Sequence, residues 1–250
     1  MNQINFKNKT ILVTGATRGI GKQIADDLHN LGANLLLTGT NNDEINTLNE
    51  LSVIKNQNKK FYFFDFLNSK SVDKFFDNIN RISKIDALVN NAGINRLNKI
   101  NDINTDDMDD MILVNLSTPI LMTKNISKIM IKNNYGRILN IASIFSKISK
   151  KKRSIYSSTK FGLHGLTVGS SNDLAKHNIL VNSLSPGFIM TDLTKQNLSK
   201  NEIESLKNQI PMKRFGSVND VSSIAIFLLS DLNQYLTGQN IIIDGGFTNI

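Results

Sequence analysis

The feature that most constrains this chain is the alternation of short, wholly apolar runs with longer amphipathic stretches. The apolar runs are TILVTGA (10–16), NLLLTGT (34–40), KFYFFDF (60–66), IDALVNNAG (85–93), GRILNIAS (136–143), ILVNSLSPG (179–187) and NIIIDGG (240–246). Most are apolar at successive positions. A strand with one wet face alternates, whereas a strand covered on both faces has no need to. Between the runs lie segments with helical spacing, among them Gly19 to Leu31, Ser69 to Ile82, Ser117 to Lys132, Ser154 to Lys176 and Val218 to Leu229. This alternation predicts an α/β fold: a single domain with a doubly wound parallel sheet of about seven strands and helices on both faces. The 250 residues suffice for one such domain, and no linker or internal repeat divides them. The polar, helical stretch from Lys195 to Ile210 is expected to belong to a flap near 191–215 that covers whatever site exists.

Composition narrows the function classes. There is no cysteine, so disulfides and thiolate metal sites are excluded. His29, His164 and His177 are too scattered to suggest a metal cluster, and no metal is expected. Polar residues precede the first apolar run, and no run approaches the roughly 20 residues of a membrane span. A cytoplasmic protein without a membrane partner is the expectation. The formal charge of +8 suits an anionic partner. Much of the lysine, however, accompanies a chain-wide richness in Asn and Ile that names no ligand.

The first strand runs into a glycine turn, TILVTGATRGIG, Thr10 to Gly21. Gly15, Gly19 and Gly21 let the backbone turn tightly and let a pyrophosphate approach a helix N-terminus, where free N–H groups favour negative charge. A plain tight turn would read the same in isolation. Its place after the first strand of an alternating chain points to a dinucleotide. Tyr156 and Lys160, four apart in a helical stretch, share a face. Free tyrosine, with a pKa near 10, is a poor acid–base group at neutral pH, and a nearby ammonium favours its phenolate. Ser143, at the end of the GRILNIAS run, is a candidate donor to a carbonyl oxygen.

The G-x-x-x-G-x-G spacing, NNAG (Asn90 to Gly93), Asn115 in LVNLS, Ser143 with Tyr156-x-x-x-Lys160, and SPGFIMT (Ser185 to Thr191) together resemble the short-chain dehydrogenase/reductase family, end to end. Within it, NNAGI, PGFIMTDLT and YLTGQNIIIDGG are similar to 3-oxoacyl-acyl-carrier-protein reductases. The resemblance implies a Rossmann-type fold, a homotetramer, and hydride transfer between a nicotinamide cofactor and a carbonyl/secondary-alcohol pair. It makes Asn115, Ser143, Tyr156 and Lys160 the catalytic set. Tyr156 donates the proton, Lys160 lowers its pKa and holds the ribose, Ser143 binds the carbonyl oxygen, and Asn115 holds a relay water. It assigns cofactor contacts to Gly15, Thr17, Arg18, Gly19, Ile20 and Gly21 in the turn, and to Thr40, Asp65 and Phe66 after the second and third strands. Asn90, Asn91, Ala92 and Gly93 follow in the groove, with Tyr156, Lys160, Pro186, Gly187, Ile189 and Thr191 near the nicotinamide. NADP(H) is expected over NAD. The second strand ends Thr38-Gly39-Thr40-Asn41-Asn42 with no acid before Asp43, and Arg18 stands ready for a 2′-phosphate.

The first substrate implied is a 3-oxoacyl thioester on an acyl carrier, as in fatty acid biosynthesis. The alternative is a sugar- or small-alcohol-directed dehydrogenase, for instance in surface-polysaccharide synthesis. A non-catalytic NADP-binding regulator is the third reading, disfavoured because all four catalytic positions are intact. Two places where similar carrier-protein reductases have arginine hold Asn134 and His177-Asn178 here, which weakens the carrier reading. The run Lys147 to Arg153 carries five basic residues between Ser143 and Tyr156. Its lack of interleaved aromatic readers argues against nucleic acid. An active-site lip remains, either merely solvated or greeting an anionic carbonyl substrate.

Overall fold

The computed structural model describes residues 4–191, 194 and 199–249. Seven parallel strands form one sheet: β1 (Thr10–Val13), β2 (Asn34–Gly39), β3 (Lys59–Phe63), β4 (Ala87–Asn90), β5 (Gly136–Ile141), β6 (Ile179–Pro186) and β7 (Asn240–Ile243), in the order β3-β2-β1-β4-β5-β6-β7. The order reverses between β1 and β4. Ligands of open α/β sheets sit at such a switch point, beyond the carboxyl ends of the strands.

The successive apolar residues do what their pattern predicts. Ile11, Val13, Leu35, Leu37, Ala87 and Val89 enter one core, and Leu12, Leu36 and Leu88 enter the other. The first core is closed by α1 (Gly19–Asn30), α2 (Asn42–Ile54) and α8 (Val218–Leu229), through Ile24, Leu28, Ile45, Val221 and Ala225. The second is closed by α3 (Ser69–Ile79), α5 (Thr118–Lys132) and Leu174 of α6 (Ser154–Leu174). Each large apolar side chain buried this way contributes about 1.5–3 kcal/mol before entropy is charged against it. α4 (Thr105–Ile112) runs through a π-helical turn, Leu113–Ser117, into α5. A third cluster, outside the sheet, joins Ile144, Phe145, Ile210, Phe215 and Phe247. It carries the far wall of the site.

The polar stretch expected as a flap contributes α7 (Lys200–Gln209), which Ser199 and Glu202 open with a reciprocal capping box. Residues 192, 193 and 195–198 of that stretch lie outside the described residues. No described helix is long and apolar enough to cross a membrane.

Candidate active site

A cleft of about 740 Å³ opens at the switch point. One wall is the glycine turn. Gly15 has φ +62°, in the left-handed region, and a Cβ there would meet Ala92 Cα at 3.0 Å. A Cβ on Gly21 would overlap the Gly15 carbonyl and the Asn91 side chain. Arg18 is the N-cap of α1 but has extended backbone and no side-chain capping bond, so the first-turn N–H groups of α1 remain free. That arrangement fits a dinucleotide pyrophosphate.

The turn is held by groups that sequence reasoning passed over or assigned elsewhere. Thr14, buried at the end of β1, accepts from Asn91 N and Ala92 N at 3.0 and 3.1 Å. Asn91 Nδ2 donates back to Thr14 O and Gly15 O at 2.9 and 3.0 Å. Thr38 Oγ1 accepts from Gly15 N at 3.2 Å. The Asn91 amide is therefore committed to shaping the turn. Asn90 is likewise committed below the groove, donating to Asn140 Oδ1 at 2.8 Å. The signal available in sequence was a polar residue at the end of a strand otherwise buried on both faces. Such a residue must find a partner.

At the other expected cofactor positions the outcome varies. Arg18, Gly19, Ile20, Gly93, Pro186, Gly187, Ile189 and Thr191 line the cleft directly. Thr17 packs beneath the turn against Gly39. Thr40 is exposed beyond β2, and Asp65 Oδ1 accepts from Leu67 N at 3.1 Å. The Phe66 side chain turns into the second core, its ring centroid 4.5 Å from that of Phe64, so only its backbone is free to serve a ligand.

The opposite wall brings Ser143, Tyr156 and Lys160 together. Ser143 follows β5 and caps a 3-10 turn, Ile144–Ser146, its Oγ accepting from Phe145 N at 3.2 Å. That turn is pinned by Ser146 Oγ, 2.8 Å from Ser185 Oγ and accepting from Asn240 Nδ2 at 2.9 Å. Tyr156 and Lys160 project from α6. Burial pushes the Tyr156 phenol up, while the Ser143 hydrogen bond and then the Arg153 guanidinium pull it back. Lys160 is only 4 % exposed and is pushed down to about 8 by burial. Its Nζ donates to Ile141 O at 2.9 Å and lies 5.7 Å from the Tyr156 ring centroid.

Asn115 sits in the π-helical turn, a device frequent at functional sites. It is fully buried, accepting from Ile94 N and donating to Ile94 O, both at 2.8 Å. It thereby fixes the backbone after Gly93. A Cβ on Gly93 would lie 3.2 Å from Asn115 Oδ1 and 3.7 Å from Lys160 Nζ. The missing side chain leaves a gap between the two.

The basic run divides. Lys147, Lys150, Lys151 and Lys152 are exposed. Lys150 lies over the rings of Phe247 and Phe188, at 4.6 and 5.3 Å. Lys152 has φ +66°, an uncommon conformation for lysine. Arg153, the next residue, turns inward with its guanidinium carbon 5.3 Å from the Phe145 ring centroid and 5.9 Å from that of Tyr156. Asn134 and Asn178 both have left-handed backbone, φ +46° and +56°, which asparagine tolerates better than arginine. They precede β5 and β6, at the opposite end of the sheet from the cleft.

A family model described as enoyl-(acyl carrier protein) reductase matches residues 15–248. The 3-oxoacyl-(acyl-carrier-protein) reductase FabG of Aquifex aeolicus is 39% identical over 246 residues, 98% of this chain and 99% of that protein. The same-named protein of Buchnera aphidicola subsp. Schizaphis graminum is 35% identical, covering 97% of this chain and 98% of its own. Among solved structures, gluconate 5-dehydrogenase from Burkholderia cenocepacia, in complex with NADP and tartrate, superposes with TM-score 0.91 at 29% identity, covering 98% of this chain and 97% of that one. ElxO with NADP bound gives 0.89 at 29% identity, covering 97% and 99%. The seven-stranded sheet thus has full-length counterparts among known dehydrogenases, and the chain belongs to the short-chain dehydrogenase/reductase family.

Proposed function

We propose that the protein is an NADPH-dependent carbonyl reductase, working reversibly as a secondary-alcohol dehydrogenase, with a 3-oxoacyl thioester as its first substrate. The observation that carries this is the convergence of Ser143, Tyr156 and Lys160 on one cleft whose other wall is an uncapped glycine turn. The curated relatives named 3-oxoacyl-(acyl-carrier-protein) reductase support the acyl substrate, and the NADP-bound neighbours support the cofactor.

Gly15, Gly19 and the free N–H groups of α1 would hold the pyrophosphate. Arg18 and Thr40 would hold the 2′-phosphate, Asp65 the adenine, and Lys160 the ribose. Bound there, the reduced nicotinamide supplies a hydride to the carbonyl carbon. The protein supplies the rest. Ser143 Oγ donates to the carbonyl oxygen and Tyr156 gives that oxygen a proton as the alcohol forms. Burial keeps Tyr156 protonated in the resting site, so the acid is present before the substrate arrives. The ammonium of Lys160 favours the phenolate left behind. The gap at Gly93, between Asn115 and Lys160, is the route by which the proton is replaced.

Helix α7 covers the substrate end, its Ile203 and Leu206 packed on the cluster that holds Phe145 and Phe215. The molecule works in the cytoplasm as a homotetramer. Supporting the latter, Ile112, Ile120, Leu121, Phe161 and Val168 of α4, α5 and α6 are large exposed apolar residues. A second reading, oxidation of a sugar-derived or small alcohol, is supported by the cationic lining of the cleft and by the gluconate dehydrogenase neighbours.

The test is NADPH oxidation with acetoacetyl-CoA and with the same acyl group on a carrier protein. Turnover of either supports the first reading. Tight NADPH binding without turnover on either removes it, and oxidation of sugar acids with NADP+ would then establish the second.

A further inference from the structure

Four cationic side chains line the cleft, Arg18, Arg96, Arg153 and Lys160, and no described carboxylate does. Three have evident employment. Arg18 stands at the glycine turn. Arg96 is neutralised by Asp107 and by Asp110, the latter at 2.9 Å. Lys160 donates to Ile141 O and faces the Gly93 gap. Arg153 has none. It forms no ion pair among the described residues, and burial disfavours its charge with only the Tyr156 hydroxyl acting the other way. Its neighbours are the faces of Phe145 and Tyr156, which hold the guanidinium plane in place without satisfying its five donors.

The protein also incurs two costs to put it there. Lys152 adopts a left-handed backbone, which an L side chain without local hydrogen bonding disfavours. Arg153 then caps α6, the helix end whose dipole repels a cation. The other basic residues of the run face solvent, so the charge of the run as a whole does not explain this orientation.

We infer that Arg153 is a specificity-determining residue that binds the carboxylate of an oxo-acid substrate beside the reacting carbonyl. A carboxylate is the planar, bidentate acceptor that a guanidinium matches, and its charge cancels the one left half-buried. The inference rests on the reading of Ser143 and Tyr156 as carbonyl-reducing. It deepens that reading and favours its sugar-acid form over the thioester: carbonyl compounds carrying a free carboxylate are used in preference to neutral esters of the same skeleton.

The test compares acetoacetate with methyl acetoacetate, which differ by one charge, in the NADPH-supplied wild type and in Arg153→Gln and Arg153→Lys. The expected result is a higher kcat/KM for acetoacetate in the wild type. Arg153→Gln raises its KM roughly 10- to 100-fold, the scale of a lost charge-assisted bond, and moves the KM of methyl acetoacetate less than about twofold, any change in kcat through Tyr156 being shared by both substrates. Arg153→Lys restores part of the loss. A second readout is calorimetric binding of malonate to the NADP+-loaded protein, expected to vanish in Arg153→Gln while NADP+ affinity stays. Turnover of methyl acetoacetate with no advantage for acetoacetate, or an equal effect of Arg153→Gln on both, overturns the inference and leaves the carbonyl-reductase reading standing. No turnover of either compound or of acetoacetyl-CoA, together with no oxidation of sugar acids by NADP+, overturns both.

Discussion

At the glycine turn the wall of the cleft is backbone, tied to β1, β2 and β4 through Thr14, Thr38 and Asn91. Across the cleft the wall is a 3-10 turn and the inward end of a basic loop, backed by an apolar cluster outside the sheet on which α7 packs. The first wall must place N–H groups against a pyrophosphate common to every dinucleotide. Its geometry is set by glycine and by strand ends, and little else will do. The second wall must fit one substrate. Ser143, Tyr156 and Lys160 held at its root and solvent-exposed side chains at its rim suit that purpose. The difference makes separable predictions: changes on the first wall act on the cofactor, and changes on the second act on chemistry or substrate.

The largest effect belongs to the root of the second wall. Tyr156→Phe removes the hydroxyl proposed as proton donor while leaving the ring that packs against Phe145 at 6.0 Å. Turnover is expected to fall at least ~10²-fold with NADPH affinity unchanged, as measured by steady-state kinetics beside a fluorescence titration. Near-normal turnover would mean that the oxygen is protonated from elsewhere. Gly21→Val tests the first wall. Its side chain overlaps Gly15 O and Asn91, so the turn must move. Overpacking of this kind costs about 1–3 kcal/mol, which implies roughly tenfold weaker NADPH binding and a lower Tm. An unchanged dissociation constant would show that the turn does not grip the pyrophosphate.

This contrast also governs what could be read before the fold was known. All seven strands and the parallel, two-sided sheet were legible because burial on both faces writes itself as consecutive apolar residues. That Ser143, Tyr156, Lys160 and the glycine turn meet at one cleft was legible from residue type and spacing. The polar ties were not. Thr14, Thr38 and the Ser146–Ser185–Asn240 set pair residues far apart in sequence, and nothing local announces a partner. Nor was the inward turn of Arg153. It depends on the left-handed backbone at Lys152, in a run where five basic residues look alike.

Lys160 offers a smaller test that needs no substrate. Burial lowers its pKa in the folded protein to about 8, against an ordinary value of 10.5. Between those values the unfolded chain holds a proton that the folded chain has released, so this residue makes stability rise with pH across that window. Below about pH 8 both states are charged and its cost is constant. The tyrosines with raised values, Tyr135 and Tyr156, act in the opposite direction, but only from about pH 10 upward. Denaturant unfolding at pH 7.5 and pH 9.5 is expected to show a gain with pH in the wild type that Lys160→Met lacks. An equal pH dependence in both would mean that Lys160 keeps its charge, solvated through the cleft.

The smallest effect is expected at the rim. Lys150, Lys151 and Lys152 are solvent-exposed, and Lys151 and Lys152 make no ion pair among the described residues. Exposed charges in the loop that leads to Arg153 act through a screened field that steers an anion without holding it. Replacing all three by serine while keeping Arg153 is therefore expected to raise KM for acetoacetate by no more than about threefold at low salt. The difference from wild type should vanish near 0.5 M salt, where the screening length falls to about 4 Å. A half-buried guanidinium in contact with its ligand is screened far less, so the loss in Arg153→Gln should persist at that salt. Equal salt sensitivity for the two sets of changes would make the run one diffuse patch. Distinct sensitivities would divide it into a field at the rim and a contact beside Tyr156, a division that charge counting along the sequence cannot make.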